Sequence, residues 1–279
     1  MNALVLRPGF ARNALWTLVA VVLVLYAFPF AYLILTSFKP PLDAISTSPT
    51  IWPRSWTWVN YRSALATPGV PAAFINSVVT AAISTVLSLV LAVPAAYGVI
   101  RYGTYTGRVF IMFALVTRMI PPVAIGVPLV SIMAKLHLTD TSFGLALAQT
   151  TISLPLSIWL MASFFEAVPP ELEEAGLVDG CGRLRALRQV ILPVVTGGVA
   201  VTALFAFLAS WNEFLFALLL TATRAGTVPI AIANFQTEYG LQWGSMTALS
   251  TLYSIPVVLL ALFLQRHIVS GLTLGAVKG

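Results

Sequence analysis

Glu166–Pro193 reads EAVPPELEEAGLVDGCGRLRALRQVILP and lies between two long apolar runs, Phe143–Phe165 and Val194–Thr221. The stretch is charged, yet it has helical pattern. Pro169 and Pro170 suit a helical first turn. Glu171, Glu173 and Glu174 then fall near the positive end of the helix dipole, where acids are favoured. Leu172, Ala175 and Gly176 share a face at i, i+3 and i+4. Gly180 can end this short helix in a left-handed conformation. A second helix follows, with Leu184, Leu187 and Ile191 on one stripe and Arg183, Arg185 and Arg188 largely off it. Pro193 restarts the chain. The expectation is a short helix, a glycine turn and an amphipathic helix lying along a membrane surface. Small residues on the short helix let another protein approach its backbone. The alternative is an amphipathic loop resting on lipid.

The apolar runs on either side have the length of membrane spans, which need about 20 mostly apolar residues. Six such runs occur: Leu15–Ser37, Ala73–Ile100, Val109–Met133, Phe143–Phe165, Val194–Thr221 and Ser245–Leu264. The composition agrees. The chain of 279 residues is 59% apolar and only 9% charged, with a mean hydropathy of +0.94. A soluble domain carries roughly 25% charged residues, so lipid must be part of this chain's solvent. The first run is too long for a signal-peptide core and no small-residue cleavage site follows, so it reads as a retained span. Pro29, Pro94, Pro121, Pro122, Pro128, Pro155 and Pro256 fall within runs. They are expected to bend helices, with neighbouring helices satisfying the freed carbonyls. The expected fold is an all-α polytopic bundle of six transmembrane helices, residues 1–279 forming one domain.

The net charge of +6 comes from 15 Lys and Arg against 9 Asp and Glu. The basic residues sit at the ends of apolar runs, which marks membrane orientation rather than nucleic-acid binding. With the N-terminus inside, nine fall on the inner side (Arg7, Arg12, Arg101, Arg108, Arg183, Arg185, Arg188, Arg266, Lys278) and five outside (Lys39, Arg54, Arg62, Lys135, Arg224). The positive-inside rule therefore predicts both termini in the cytoplasm. Trp52, Trp56, Trp58 and Tyr61 suit a loop at the outer interface. No phosphate-binding loop of the form G-x-x-x-x-G-K-[ST] occurs, and His137 and His267 are far apart. No metal site and no catalytic cluster is expected, and Cys181, the single cysteine, has no intrachain partner.

The loop resembles the E-A-A-x3-G-x9-I-x-L-P segment of ABC-importer permeases. Glu174, Ala175, Gly180, Leu192 and Pro193 match, and Asp179 before the glycine also fits. Gly176 stands where the family has its second alanine, and Val190 where it has isoleucine. Asn60–Tyr61, Asn76–Ser77, Ala96–Tyr97, Trp211–Phe214 and the Gly271–Gly279 ending extend the likeness to carbohydrate importers of the maltose-transporter type, and within them to the smaller, six-span permease. The resemblance implies a type I importer fold in the bacterial inner membrane, with a second homologous permease, an ATPase dimer inside and a solute-binding protein outside. It implies no cofactor in this chain, since ATP and Mg would be held by the ATPase subunits, and no enzymatic site. It makes Glu171–Gly180 the helix that meets the ATPase. It further implies that Val277, Lys278 and Gly279 reach the ATPase dimer, on a tail from Gln265 too weakly apolar to span.

Polar groups inside spans must face a cavity or a partner. Gln149, Trp211, Asn212 and Glu213 are the candidates for a solute path through spans four and five. A hydrogen bond to the partner permease is the competing role for Asn212 and Gln149. Glu213 and Arg118 read rather as structural, and as possible partners of each other, since a neutral sugar needs no net charge. A self-sufficient secondary transporter or channel is the rival function; it requires ion-coupling acids in several spans, and only span five supplies one.

Overall fold

The computed structural model describes residues 8–276 apart from 47, 49, 104, 238 and 239. In chain order the helices are α1 (Pro8–Ser37), α2 (Pro41–Ala44), α3 (Val59–Ala66), α4 (Val70–Tyr102), α5 (Tyr105–Thr117), α6 (Pro122–Lys135), α7 (Ser142–Glu166), α8 (Pro170–Val178), α9 (Arg183–Ala186), a π-helical turn (Leu187–Ile191), α10 (Leu192–Val194), α11 (Thr196–Trp211), α12 (Leu215–Leu220), α13 (Val228–Ala233) and α14 (Trp243–Ala276). Strand among the described residues is confined to β1 (Gln236–Thr237) and β2 (Gly240–Leu241), an antiparallel pair before α14.

The chain forms two compact units. The smaller takes the chain up to Thr67 together with Asn234–Leu252. Its fixed point is the buried Asn60 amide, which donates to the carbonyls of Ser37 (2.8 Å) and Lys39 (2.7 Å). The Tyr61 hydroxyl bonds Ser37 Oγ at 2.7 Å. Gly244 lies so close to Asn60 that a Cβ would collide with its side-chain oxygen. Lys39 is buried as well, with Nζ donating to the Thr50 carbonyl at 2.5 Å and lying 4.5 Å from the centre of the Tyr32 ring.

The larger unit takes Pro68–Ala233 and the chain from Tyr253. It is built on a seam between α4 and α7. Ser84 faces Thr150 at 3.3 Å and Ser88 faces Ser153 at 2.6 Å. Ala81, Ala92 and Ala96 are fully buried along the same stripe. Small residues let the two backbones approach, and paired hydroxyls hold helices together where lipid offers no hydrophobic drive. The pairings rise together in number, so α4 and α7 run parallel. The segment between them must therefore recross the bundle. It does so as α5 and α6, which meet at an 88° bend over Arg118–Pro121. The sequence expectation of one span over Val109–Met133 is corrected to this broken pair. Pro122 has no N–H to give, its ring would collide with the carbonyl of Arg118, and Pro121 bars helical geometry at Ile120.

α11 runs antiparallel to α7, with Gly198 against Phe164 at one end and Ser210 against Gln149 at the other. Arg183–Val194 meets Thr196–Trp211 at 85°, consistent with an amphipathic segment turning into a span. The expected run Val194–Thr221 is not one helix, since it breaks at Asn212–Phe214. Among the described residues four helices are long and apolar enough to cross a membrane, and counting each bent pair as one span makes six. α14 continues helical past its apolar part, which ends at Gln265, as far as Ala276.

A Cβ on Gly198 would fall inside the Phe164 ring. Gly198→Ala should therefore destabilise the protein by about 1–3 kcal/mol through overpacking, read as a lower melting temperature in detergent. The double variant Gly198→Ala/Phe164→Ala should recover most of the loss. A single variant as stable as the wild type contradicts the close α7–α11 approach.

Candidate functional site

α8 is a nine-residue helix whose ends are both fixed by sequence. Pro169 and Pro170 open it. At its C-terminus the Gly180 N–H donates to the Leu177 carbonyl (3.1 Å) and the Cys181 N–H to the Gly176 carbonyl (3.0 Å), while Gly180 takes φ +83°. This is the paired closure that a left-handed glycine allows, as the sequence led one to expect. The predicted faces shift, however. Glu173 and Gly176 are the buried pair, while Leu172 and Ala175 are exposed with Glu171, Glu174, Asp179 and Gly180. Burial follows what lies beneath α8: a Cβ at Gly176 would sit 3.2 Å from Val190 Cγ2 in the π-helical turn. The two positions that depart from the family pattern thus face each other. The expected Leu184 stripe is corrected too. Leu187 and Ile191 are buried but Leu184 is 77% exposed, because the π-helical turn widens the helix and re-phases its buried side. Leu192 is half-buried and Pro193 exposed, where the surface segment turns toward α11.

Glu173 turns inward onto the C-terminal end of α4. Its Oε1 accepts from the hydroxyls of Tyr97 and Tyr102, the latter at 2.9 Å. Its Oε2 lies 3.0 Å from Arg101 Nε as an ion pair without the alignment of a hydrogen bond. The side chains are 7% and 10% exposed, respectively. Arg101 Nη2 also donates to the Val168 carbonyl at 3.0 Å. By sequence alone Arg101 reads only as an orientation charge and Glu173 only as a helix-dipole acid. No local pattern links residues 72 positions apart, and only the tyrosines near the run's end hinted at a polar terminus.

The candidate solute-path residues separate. Gln149 is 1% exposed. Its Oε1 accepts from the Ser210 hydroxyl and its Nε2 donates to Glu213 Oε2 at 3.3 Å. Glu213 accepts from the backbone N–H groups of Phe216 (2.7 Å) and Ala217 (3.1 Å), so it caps α12. This corrects two expectations. The Gln149 amide is consumed within the chain rather than facing a path, and Glu213 pairs with backbone amides and Gln149 rather than with Arg118. A carboxylate in a span needs donors, and a helix restarting beside it supplies them at once. Trp211 is 1% exposed and lies between the Phe207 and Tyr253 rings, whose centroids are 5.3 and 4.9 Å away. The Tyr253 hydroxyl donates to the Trp211 carbonyl. Asn212 alone of the four is exposed, at the break between α11 and α12, with Nδ2 donating to the Leu208 carbonyl at 2.9 Å. Val277, Lys278 and Gly279 lie outside the described residues.

At the opposite end of α7, Asp140 takes φ +54°. Its carboxylate collects the backbone N–H groups of Ala222 (2.9 Å), Thr223 (3.1 Å), Arg224 (3.1 Å) and Ala225 (3.0 Å). Asn76 clamps the same loop from α4, donating to the carbonyls of Arg224 (2.8 Å) and Gly226 (3.0 Å). Asp140 was invisible to the sequence reading because its partners lie more than eighty residues away.

Residues 84–274 match the family described as the binding-protein-dependent transport system inner membrane component. The chain belongs to that family. It is a permease subunit of an ABC importer and a multi-pass membrane protein, and this answers the rival reading of a self-sufficient transporter. The permease is 40% identical over 268 residues to the probable ABC transporter permease protein y4oR of Sinorhizobium fredii, covering 96% of each chain. It is 38% identical to the trehalose/maltose transport system permease protein MalG of Thermococcus litoralis, over 90% of this chain and 91% of that protein. It is 37% identical to the trehalose transport system permease protein SugB of Mycobacterium tuberculosis, over 97% and 100%. Among solved structures, a chain of a bacterial ABC transporter for import of the acidic polysaccharide alginate shares its fold, with a TM-score of 0.78, 19% identity and coverage of 96% and 100%.

Burial acts to raise the Asp140 pKa, but the amides of Ala222, Ala225, Thr223 and Arg224 outweigh it and hold the carboxyl well below the usual carboxylate range. The folded pKa thus lies below an unfolded value of about 3.9, so the stabilisation is complete above about pH 5 and is lost as pH falls below 4. Asp140→Asn should lower the melting temperature of the permease at pH 7, by about 1–2 kcal/mol of stability since solvent replaces part of the bonding. The gap from wild type should narrow between pH 5 and pH 3. A gap constant with pH contradicts the assignment.

Proposed function

We propose that this permease carries a sugar or sugar-derived solute inward across the cytoplasmic membrane, with α8 as the helix that docks into a separate ATPase. The observation that carries the docking role is the exposed side of α8. Its inner side is committed to Glu173 and Gly176, yet Leu172, Leu177 and Val178 are 41%, 39% and 87% exposed. A short helix closed at both ends, with apolar side chains left partly exposed on either flank of its buried strip, fits a groove in a partner. Glu171, Glu174, Ala175, Asp179 and Gly180 then form the contact rim, and Gly176, Leu192 and Pro193 hold the helix in place. The arginines of α9 and the π-helical turn support a cytoplasmic position for this end by the positive-inside rule, with both termini on that side. ATP and Mg belong to the ATPase, so the permease itself performs no chemistry. The partners are a second homologous permease, an ATPase dimer and an extracytoplasmic solute-binding protein.

The sugar assignment rests on relatives named for trehalose, maltose and diacetylchitobiose transport, each at least 34% identical. The path is proposed at Asn212–Phe214. Non-helical backbone at membrane depth is tolerated where it lines a water-filled cavity or is buried in protein, and interrupted helices build solute sites in many transporters. Asn212, exposed at this break, supplies an uncharged amide suited to sugar hydroxyls. The stacked Phe207, Trp211 and Tyr253 give the break a rigid wall.

Burying a leucine at an interface contributes about 1.5–3 kcal/mol. Leu177→Asp should therefore weaken ATPase association about tenfold or more, measured by pull-down of the detergent-solubilised complex and by ATP-driven trehalose uptake in proteoliposomes. The folded yield of the permease should change little, because Leu177 is 39% exposed and its carbonyl bond to Gly180 is made by the backbone. ATPase binding at wild-type strength rules out α8 as the docking helix.

A further inference from the structure

We infer that Glu173 is a positioning residue that makes α4 move with α8, so that the ATPase drives α4 through a side-chain clasp and not through the covalent loop alone. The inference rests on the docking role proposed for α8. Covalently, α8 connects back to α7 through Ala167–Pro169 and onward to α11 through the surface segment. It has no covalent link to α4. Yet α4 delivers three side chains to one carboxylate of α8. Tyr97 and Tyr102 donate to Oε1, and Arg101 pairs with Oε2 at 3.0 Å.

Two further contacts widen the clasp. Arg101 Nη2 donates to the Val168 carbonyl at 3.0 Å, at the turn between α7 and α8. The Arg183 guanidinium of α9 lies 4.5 Å above the Tyr102 ring. One arginine therefore grips both the helix and the hinge that leads into it. An anchoring role alone needs only one of these contacts. A buried ion pair adds little net stability over apolar packing, while it does fix geometry, since breaking it strands a charge. Glu171 and Glu174 on the same helix are exposed, so the inward carboxylate is not a general feature of the acidic first turn. The consequence is that α4, already packed on α7 along the hydroxyl seam and in the apolar cluster around Ala96 and Phe165, is tied at its C-terminal end to α8 as well, through Glu173.

The test uses the complex of this chain with its partner permease and ATPase in nanodiscs, in a Cys181→Ser background. Spin labels are placed on α4 at Val90 and on α11 at Phe205, which are 62% and 45% exposed. Pulsed electron resonance reads their separation with and without Mg·ATP·vanadate. With the clasp intact, the distance should be the same in both states. In Glu173→Gln, trapping should shift or broaden it by roughly 2–5 Å, the scale of helix shifts at packed interfaces. Glu173→Gln/Arg101→Gln should do no more than the single variant, since the pair acts as a unit. A purely structural Glu173 would lower the melting temperature in every state and leave the distance insensitive to nucleotide. An assembled, vanadate-trapped Glu173→Gln complex with an unchanged distance overturns the inference. If Glu173→Gln fails to assemble, Tyr102→Phe removes a single hydrogen bond at the exposed rim. It should give a smaller nucleotide-dependent broadening, and none at all overturns the inference. A wild-type chain that captures no ATPase removes the docking role itself, and the inference with it.

Discussion

The hydroxyl-paired seam between α4 and α7 sets the geometry on which the rest of the larger unit depends. In lipid, apolar side chains gain nothing by leaving one apolar medium for another, so helices associate through close backbone approach and internal hydrogen bonds. Ser84, Ser88, Thr150 and Ser153 provide both. Because the seam is parallel, it places the C-terminal ends of α4 and α7 together and their N-terminal ends together. Each end then carries one acidic clamp. Asp140 gathers the backbone of 222–225 at one end, and Glu173 gathers α4 at the other. The parallel seam also requires the recrossing by α5 and α6, which Pro121 and Pro122 break into an 88° bend at Arg118–Pro121.

Much of this was legible in the chain. Apolar run length gave the crossings, because a bilayer imposes its own thickness on sequence. Pro169, Pro170 and Gly180 gave both ends of α8, because proline and left-handed glycine act locally. What could not be read was partnership. Hydropathy marks a residue as able to sit in lipid, not as facing lipid, so Gln149 could as well have faced a cavity as Ser210 and Glu213. Glu173 and Arg101 are separated by two spans, and each has a sufficient local reading as dipole acid or orientation charge. The break at Asn212–Phe214 escaped notice for another reason. No proline or glycine marks it, and it is stabilised by Glu213 capping α12, a contact that takes the same residue to make and to conceal.

The docking role proposed for α8 rests on the division between its buried and its exposed surface. The inner side of α8 meets α4 through Glu173 and the π-helical turn through Gly176. Leu172 and Leu177 flank that buried strip and stay 41% and 39% exposed, and Val178 beyond them is 87% exposed. A helix anchored along one strip and left with exposed apolar side chains beside it is suited to receive force from another protein and pass it on. The polar break at Asn212 follows the C-terminal end of α11, the helix into which the same surface segment turns.

Hydrogen exchange at the backbone of α8 tests this account most directly. The permease pair is compared with and without its ATPase, in the same nanodiscs. The account predicts slowed exchange over residues 171–180 when the ATPase is bound, with the Asp140-clamped loop at 222–225 unchanged. Exchange over 171–180 that is the same in both samples, with the ATPase demonstrably bound, would contradict it.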